Sequence, residues 1–80
     1  MHFIYILECS DGTLYTGYTT DLDNRIKKHN EGKAAKYTRY RTPVKLKYQE
    51  KFISKSDAIK REIAIKKMSR QEKLILVNKN

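Results

Sequence analysis

The chain has 80 residues and a formal net charge of +9, and 39% of its residues are hydrophobic. This length allows one domain, over 1–80, with one modest core, and the low glycine and proline content excludes a linker or a disordered tail. No apolar run approaches the roughly 20 residues of a membrane span. We expect no signal peptide, because the opening HFIYIL has no basic stretch before it and no cleavage site after it.

Charge is divided unevenly along the chain. Residues 1–24 have four acidic side chains and no lysine or arginine, whereas residues 25–80 have all 18 lysines and arginines and five acidic side chains. Such an asymmetry favours a polyanionic partner over a surface that is basic only for solubility.

Cys9 is the only cysteine. One thiol forms neither an internal disulfide nor a zinc site, so we expect a protein of the reducing cytoplasm. A small residue at the end of a strand is the favoured interpretation of Cys9, ahead of a catalytic nucleophile.

The N-terminal part of the chain predicts a β-hairpin. β-branched and aromatic residues indicate strands over 2–9 and 14–19. The Asp11-Gly12 pair between them is a turn signal.

A helix is predicted over 20–32, directly after the hairpin. Thr20 or Asp21 can cap its first turn, and Gly32 ends it. The stretch 33–45 has no clear period and is predicted to be a loop.

The C-terminal half predicts a third strand over 46–53 and two helices over 54–68 and 69–80. Ser54 and Ser69 each begin a helix with an acidic residue three positions on, as in a capping box. The element order β-β-α-β-α-α predicts an α+β fold with a small three-stranded mixed sheet flanked by helices.

Two charged residues lie on the predicted apolar face of the helix over 54–68. At about 100° per residue, this face comprises Ala58, Ile59, Ile63 and Ile65. Glu62 falls inside it, and Lys66 follows one turn later. A buried carboxylate needs a partner, so Glu62 is either paired with Lys66 at the edge of the core or a metal ligand.

The helix over 20–32 shows a similar pattern. Leu22 and Ile26 mark its buried face, His29 lies close to that face, and Arg25 lies on its border. One interpretation is a surface arginine and a half-buried, hydrogen-bonded histidine. The other is an arginine that contacts phosphate beside a histidine that moves a proton.

Tyrosines and bases alternate in the middle of the chain, where no acidic residue interrupts 32–49. Aromatic rings among lysines and arginines can stack on nucleobases, while the basic side chains bind phosphates. The candidate nucleic-acid contacts are Lys33, Lys36, Tyr37, Arg39, Tyr40 and Arg41, together with Lys66 on the later helix. For the hairpin tyrosines, the physically simpler role is to cover a small core with the hydroxyl in water.

Several motifs in order resemble the GIY-YIG nuclease domain. They are Tyr5 within IYIL, YTG at 15–17, Arg25 and His29 on the following helix, and Glu62 on a later helix. The chain is most similar to the small single-domain bacterial members, which resemble the nuclease part of structure-selective junction endonucleases. The resemblance covers nearly the whole chain, from Phe3 to about Asn78.

The resemblance implies a three-stranded sheet flanked by helices and phosphodiester cleavage with one divalent metal ion, Mg²⁺ or Mn²⁺. By position it assigns Tyr5 and Tyr15 as the signature tyrosines, Arg25 as the arginine, His29 as a frequent histidine, Glu62 as the metal ligand and Asn78 as a late asparagine. Two positions depart from the motifs: Phe3 replaces the first glycine, and Thr16 is the middle residue of the second motif.

The chemistry implied is metal-assisted hydrolysis. Glu62 binds the ion, Arg25 balances charge on the phosphate, and a tyrosine, Tyr5 or Tyr15, helps to activate water. A tyrosine in that role requires nearby positive charge, from Arg25, Lys66 or the metal ion, to favour the phenolate. His29 then transfers a proton or orients a tyrosine.

Two function classes follow. The first is an endonuclease acting on branched, nicked or single-stranded DNA in repair or recombination. The second is a nucleic-acid-binding module that is inactive, or active only with a partner chain such as a targeting subunit. A plain protein-interaction domain is a third and weaker possibility.

A shared site sets a condition on the hairpin register. A two-residue turn at Asp11-Gly12 would place Tyr5 opposite Tyr18 and send Tyr15 to the other face of the sheet. We therefore predict an odd-length loop or a bulge that places Tyr5 opposite Gly17.

Overall fold

A computed structural model describes residues 1–79. The elements are β1 (His2–Glu8), β2 (Leu14–Thr19), α1 (Leu22–Asn30), α2 (Lys36–Arg39), β3 (Lys45–Phe52), α3 (Lys55–Lys66) and α4 (Arg70–Asn78). The predicted α+β fold and order are confirmed, with α2 as an addition inside the predicted loop. None of the helices within residues 1–79 has the length and apolar character to cross a membrane.

The sheet has the strand order β2-β1-β3, so β1 lies in the centre. Both pairings of β1 are antiparallel, and the predicted mixed sheet is wrong in this detail. The two outer strands do run parallel to each other, but β1 lies between them and they never pair. Lys47 forms a bulge in β3, because Ile6 pairs with Tyr48 and Leu7 pairs with Leu46.

The hairpin register places Tyr5 opposite Gly17 and Leu7 opposite Tyr15, which confirms the predicted odd register. The last pair is Glu8 with Leu14, so five residues form the loop. Hydrogen bonds from Cys9 N to Thr13 O and from Gly12 N to Cys9 O close the loop at 2.8 and 2.9 Å. Gly12 has a φ of 83°, a conformation that glycine adopts at little cost.

The two faces of the sheet bury separate apolar clusters. The face of β1 that carries Tyr5, which we call the site face, packs against α1. Its cluster comprises Tyr5, Leu7, Cys9, Leu22 and Val44, with Phe3, Tyr15, Ile26 and Leu46 around them. The opposite face packs against α3 and α4. Its buried members are Ile4, Ile6, Ala58 and Ile65.

Local capping explains where three helices begin. Asp21 accepts a hydrogen bond from Asn24 N at 3.2 Å, so it, and not Thr20, caps α1. Ser54 caps α3, and Ser69 with Glu72 forms a capping box at α4. The three helices therefore begin where the capping residues in the sequence predict.

Two buried threonines of β2 give a matched test of polar burial. Thr16 and Thr19 are 4% and 5% exposed. The Thr19 hydroxyl contacts the Asp21 backbone N and O at 3.1 and 3.3 Å, whereas the Thr16 hydroxyl has no partner within residues 1–79. We expect Thr16→Val to raise the free energy of unfolding by about 1 kcal/mol and Thr19→Val to lower it by about as much. Urea denaturation measures both, and a Thr16→Val protein less stable than the wild type would contradict this account.

Candidate active site

The centre of the site is a buried hydrogen bond between Tyr5 on β1 and His29 in the last turn of α1. Tyr5 Oη lies 2.8 Å from His29 Nε2, and each residue is only 1% exposed. The Tyr5 ring end lies directly over Gly17, where an added Cβ would be 2.4 Å from the hydroxyl oxygen. Glycine is therefore required at position 17 for Tyr5 to reach His29.

Tyr15 lies beside this pair on the same face. Its ring centroid is 5.2 Å from that of His29 and 6.4 Å from that of Tyr5. On its other side Tyr15 stacks with Tyr37 at 5.8 Å between centroids. Tyr15 is half-buried, so its ring connects the buried pair to the surface.

Burial decides the protonation of the central pair. It raises the pKa of Tyr5 well above its ordinary value, and Tyr15 and Glu62 add to this effect, while Arg25 lowers that pKa. Burial, together with the charge of Arg25, lowers the pKa of His29. Arg25 thus lowers the pKa of Tyr5, as predicted, but burial raises that pKa by more. Both shifts favour the uncharged forms of Tyr5 and His29.

Arg25 lies on α1 one turn before His29 and is half-buried. Among residues 1–79 its guanidinium forms no ion pair and no hydrogen bond, although its charge acts on both Tyr5 and His29. A planar guanidinium without a protein partner is suited to bind a phosphate through two hydrogen bonds.

Glu62 lies on α3, one turn from the fully buried Ala58 and close to Ile65 on the same stripe. Its side chain is 16% exposed, and Lys66 Nζ lies 3.5 Å from Oε2. The predicted ion pair therefore exists, yet the Glu62 charge also acts on Tyr5.

The predicted apolar face of α3 is wrong at Ile63, which is 48% exposed. The helix is rotated so that positions 58, 62 and 65 face the sheet. Arg61 fixes this rotation, since its Nε and Nη2 donate to Glu50 Oε1 and Oε2, each at 3.0 Å. The Tyr48 hydroxyl donates to the same carboxylate.

Thr38 is a site residue that the sequence interpretation missed. Its Oγ1 lies 2.7 Å from His29 Nδ1, and the residue is fully buried on α2. α2 has four residues, too few to show a helical period. No sequence signal distinguishes Thr38 from the basic residues and tyrosines around it.

The donor set for a metal ion is small. Residues 1–79 include no cluster of three or more histidine, cysteine or acidic side chains. Glu62 is the one carboxylate whose charge acts on Tyr5. Mg²⁺ is commonly bound through one or two carboxylates, with water and substrate phosphates as the other ligands. Glu62 fits such an ion, whereas a zinc site would need three or four protein ligands.

The predicted nucleic-acid contacts fall into two groups. Lys33, Lys36 and Arg39 line an open pocket at the surface, and Tyr40 is 86% exposed beside the Arg39 guanidinium. Lys33 has a distant partner, Glu31 Oε1 at 4.0 Å, whereas the remaining three residues have close protein partners. Arg41 Nε donates to Asp11 at 2.9 Å and its guanidinium lies 4.3 Å from the Tyr37 ring centroid, while Lys66 pairs with Glu62. Asn78 lies exposed at the end of α4.

A family model described as the GIY-YIG catalytic domain matches residues 1–75. The chain belongs to the GIY-YIG domain family. This family is one of nucleases, which generally use a divalent metal ion and bind nucleic acid.

The chain is also similar to individual proteins over nearly its whole length. A UPF0213 protein of Staphylococcus saprophyticus is 58% identical over 96% of this chain and 94% of its own length. A UPF0213 protein of Halobacterium salinarum is 59% identical over 91% of this chain and 95% of its own length. The solution NMR structure of a UPF0213 protein of Bacillus halodurans is 55% identical, with a TM-score of 0.64, and covers 96% of this chain and 82% of that one.

Gly17→Ala tests the close approach at the centre of this GIY-YIG domain. The added Cβ would lie 2.4 and 2.5 Å from Oη and Cζ of Tyr5, a buried ring with no room to move. We expect a loss of about 1–3 kcal/mol in the free energy of unfolding and altered NMR signals for Tyr5 and His29. Gly12→Ala is the control, because nothing lies within 4 Å of a Cβ there and only the positive φ opposes it. Unchanged Tyr5 and His29 signals in Gly17→Ala would contradict the geometry.

Proposed function

We propose that this protein is a metal-dependent endonuclease that hydrolyses phosphodiester bonds of DNA. The substrates we favour are branched, nicked or single-stranded DNA, in repair or recombination. The observation that carries the proposal is the buried Tyr5–His29 hydrogen bond. Beside it are a half-buried Arg25 with no partner among residues 1–79 and the Glu62 carboxylate, whose charge raises the pKa of Tyr5. A domain that only binds nucleic acid has no need of a buried proton donor in contact with a neutral histidine.

Each residue has a separate task in the proposed reaction. His29 Nε2 accepts the proton of Tyr5, and the Tyr5 oxygen then accepts a proton from the attacking water. The water oxygen bonds to phosphorus as the bond from phosphorus to the leaving oxygen breaks. The leaving oxygen takes up a proton from solvent, and His29 releases the one that it accepted. Tyr15 packs on both rings and limits the access of solvent to them. Arg25 binds the scissile phosphate and stabilises the charge that develops there. Glu62 would hold the ion, Mg²⁺ or Mn²⁺, which when bound neutralises charge on the phosphate.

The raised pKa of Tyr5 and the lowered pKa of His29 both oppose a proton transfer between them, so the proposed transfer requires added positive charge beside Tyr5. A phenol with a high pKa does not ionise into bulk water near neutral pH. The hydrogen bond of 2.8 Å gives the proton a direct route to Nε2, and the charge of Arg25, or of an ion held near Glu62, would favour the phenolate.

In this proposal the DNA binds along the exposed basic side chains. Lys33, Lys36 and Arg39 can bind phosphates, and the exposed ring of Tyr40 can stack on an unpaired base. Tyr37 and Arg41 support Tyr15 and the hairpin loop, and contribute less to DNA binding in this proposal. The buried, unpaired thiol of Cys9 fits a cytoplasmic location.

One observation favours a second function. Lys66 pairs with Glu62 and neutralises the carboxylate that would hold the metal ion. If that pair persists on DNA, the protein is a nucleic-acid-binding module, or one that a targeting subunit activates.

Cleavage assays separate the two functions. Labelled single-stranded, duplex, flap and junction DNAs are incubated with the protein in Mg²⁺, Mn²⁺ or EDTA. We expect metal-dependent cuts by the wild type and a loss of about 100-fold or more in Glu62→Gln, because metal-assisted charge stabilisation contributes several kcal/mol. Asp57→Asn is the control, since Asp57 is an exposed carboxylate in the first turn of the same helix, α3, and has no salt bridge among residues 1–79.

Two results would contradict the nuclease assignment. One is a Glu62→Gln protein that cuts as fast as the wild type. The other is salt-sensitive DNA binding without cleavage in all three proteins, which would assign the binding module instead.

A further inference from the structure

A chain of buried hydrogen bonds extends from the site to the main chain of α2. Tyr5 Oη contacts His29 Nε2 at 2.8 Å, and His29 Nδ1 contacts Thr38 Oγ1 at 2.7 Å. The Thr38 hydroxyl also donates to the Ala35 carbonyl oxygen at 3.3 Å. Tyr5 and His29 are each 1% exposed and Thr38 is fully buried, so the protein itself supplies these partners.

Counting protons along this chain favours one tautomer of the histidine. With a neutral imidazole, only one arrangement of protons makes all three contacts hydrogen bonds, and in it the Thr38 hydroxyl donates to the Ala35 carbonyl oxygen, which only accepts. The Thr38 oxygen therefore faces His29 Nδ1 with a lone pair, and a hydrogen bond there needs a proton on Nδ1. A neutral imidazole carries one proton, which leaves Nε2 without one. The Tyr5 hydroxyl must then donate to Nε2.

We propose that Thr38 is a positioning residue that holds His29 in the tautomer protonated on Nδ1, so that Nε2 faces Tyr5 as a proton acceptor. In the opposite tautomer Nε2 would donate to Tyr5 Oη, and the tyrosine proton would have no acceptor on His29. Tyr15 and Arg25 are the other groups beside the imidazole, and neither makes a hydrogen bond to it. The importance of Thr38 for cleavage rests on the proposed nuclease function, but the tautomer does not.

The tautomer is measured directly by long-range ¹H–¹⁵N correlation spectra, which distinguish protonated from unprotonated ring nitrogens. The chain has two histidines, so His2→Gln assigns the signals of His29. At a pH where the ring is neutral, we expect a protonated Nδ1 and an unprotonated Nε2 in the wild type. Thr38→Val should give a mixture of tautomers, and Thr38→Ser, which keeps the hydroxyl, should restore the wild-type pattern.

Cleavage rates give a second measurement on the same variants. We expect Thr38→Val to lower kcat by about 10- to 100-fold, the range typical of partners that orient metal-bound histidines, with KM for DNA unchanged. Thr38→Ser should retain a kcat within a few-fold of the wild type.

The outcomes separate this inference from the proposed function. Wild-type His29 with its proton on Nε2 overturns the inference, whether or not the protein cuts DNA and even if Thr38→Val fails to fold. A Thr38→Val protein that folds and keeps both the tautomer and kcat overturns it as well. The expected tautomer in a protein that cuts no DNA supports the role of Thr38 and refutes the nuclease proposal alone.

Discussion

The hydrogen bond between Tyr5 and His29 constrains the rest of the structure. It joins the central strand to the end of α1 inside the core, where a polar group without a partner is costly. Its geometry requires a glycine opposite Tyr5, because any side chain at position 17 would occupy the place of the phenol. The register that brings Gly17 there also brings Tyr15 to the same face, and the five-residue hairpin loop sets this register.

α2 explains how so small a domain keeps this bond in place. Two neighbouring residues of the short helix brace the site from outside, since Tyr37 stacks on Tyr15 and Thr38 bonds to His29. On the other side of the sheet, the Glu50–Arg61 pair fixes the rotation of α3 and thereby the placement of Glu62. The contacts that hold these elements together are thus largely the contacts that position the side chains of the candidate site.

Features with local causes could be predicted from the sequence. Side-chain caps act within four residues, so the starts of α1, α3 and α4 were all predicted, and the need for one shared face predicted the register of Tyr5 with Gly17. Features set by tertiary packing could not. α2 has no sequence period, the place of β1 between the outer strands depends on the whole sheet, and the exposure of Ile63 follows from how α3 is rotated. The dominance of burial over the charge of Arg25 also appears only once Tyr5 is known to be enclosed.

The most direct test is a double-mutant cycle on stability with Tyr5→Phe, His29→Gln and the double variant. His2 and Tyr18 are the internal control, since the same pair of residue types is joined at 2.8 Å but only partly buried. We expect a coupling free energy of about 1 kcal/mol or more for Tyr5 with His29, and a much smaller one for His2→Gln with Tyr18→Phe. Additive effects of Tyr5→Phe and His29→Gln would contradict the central role given to this hydrogen bond.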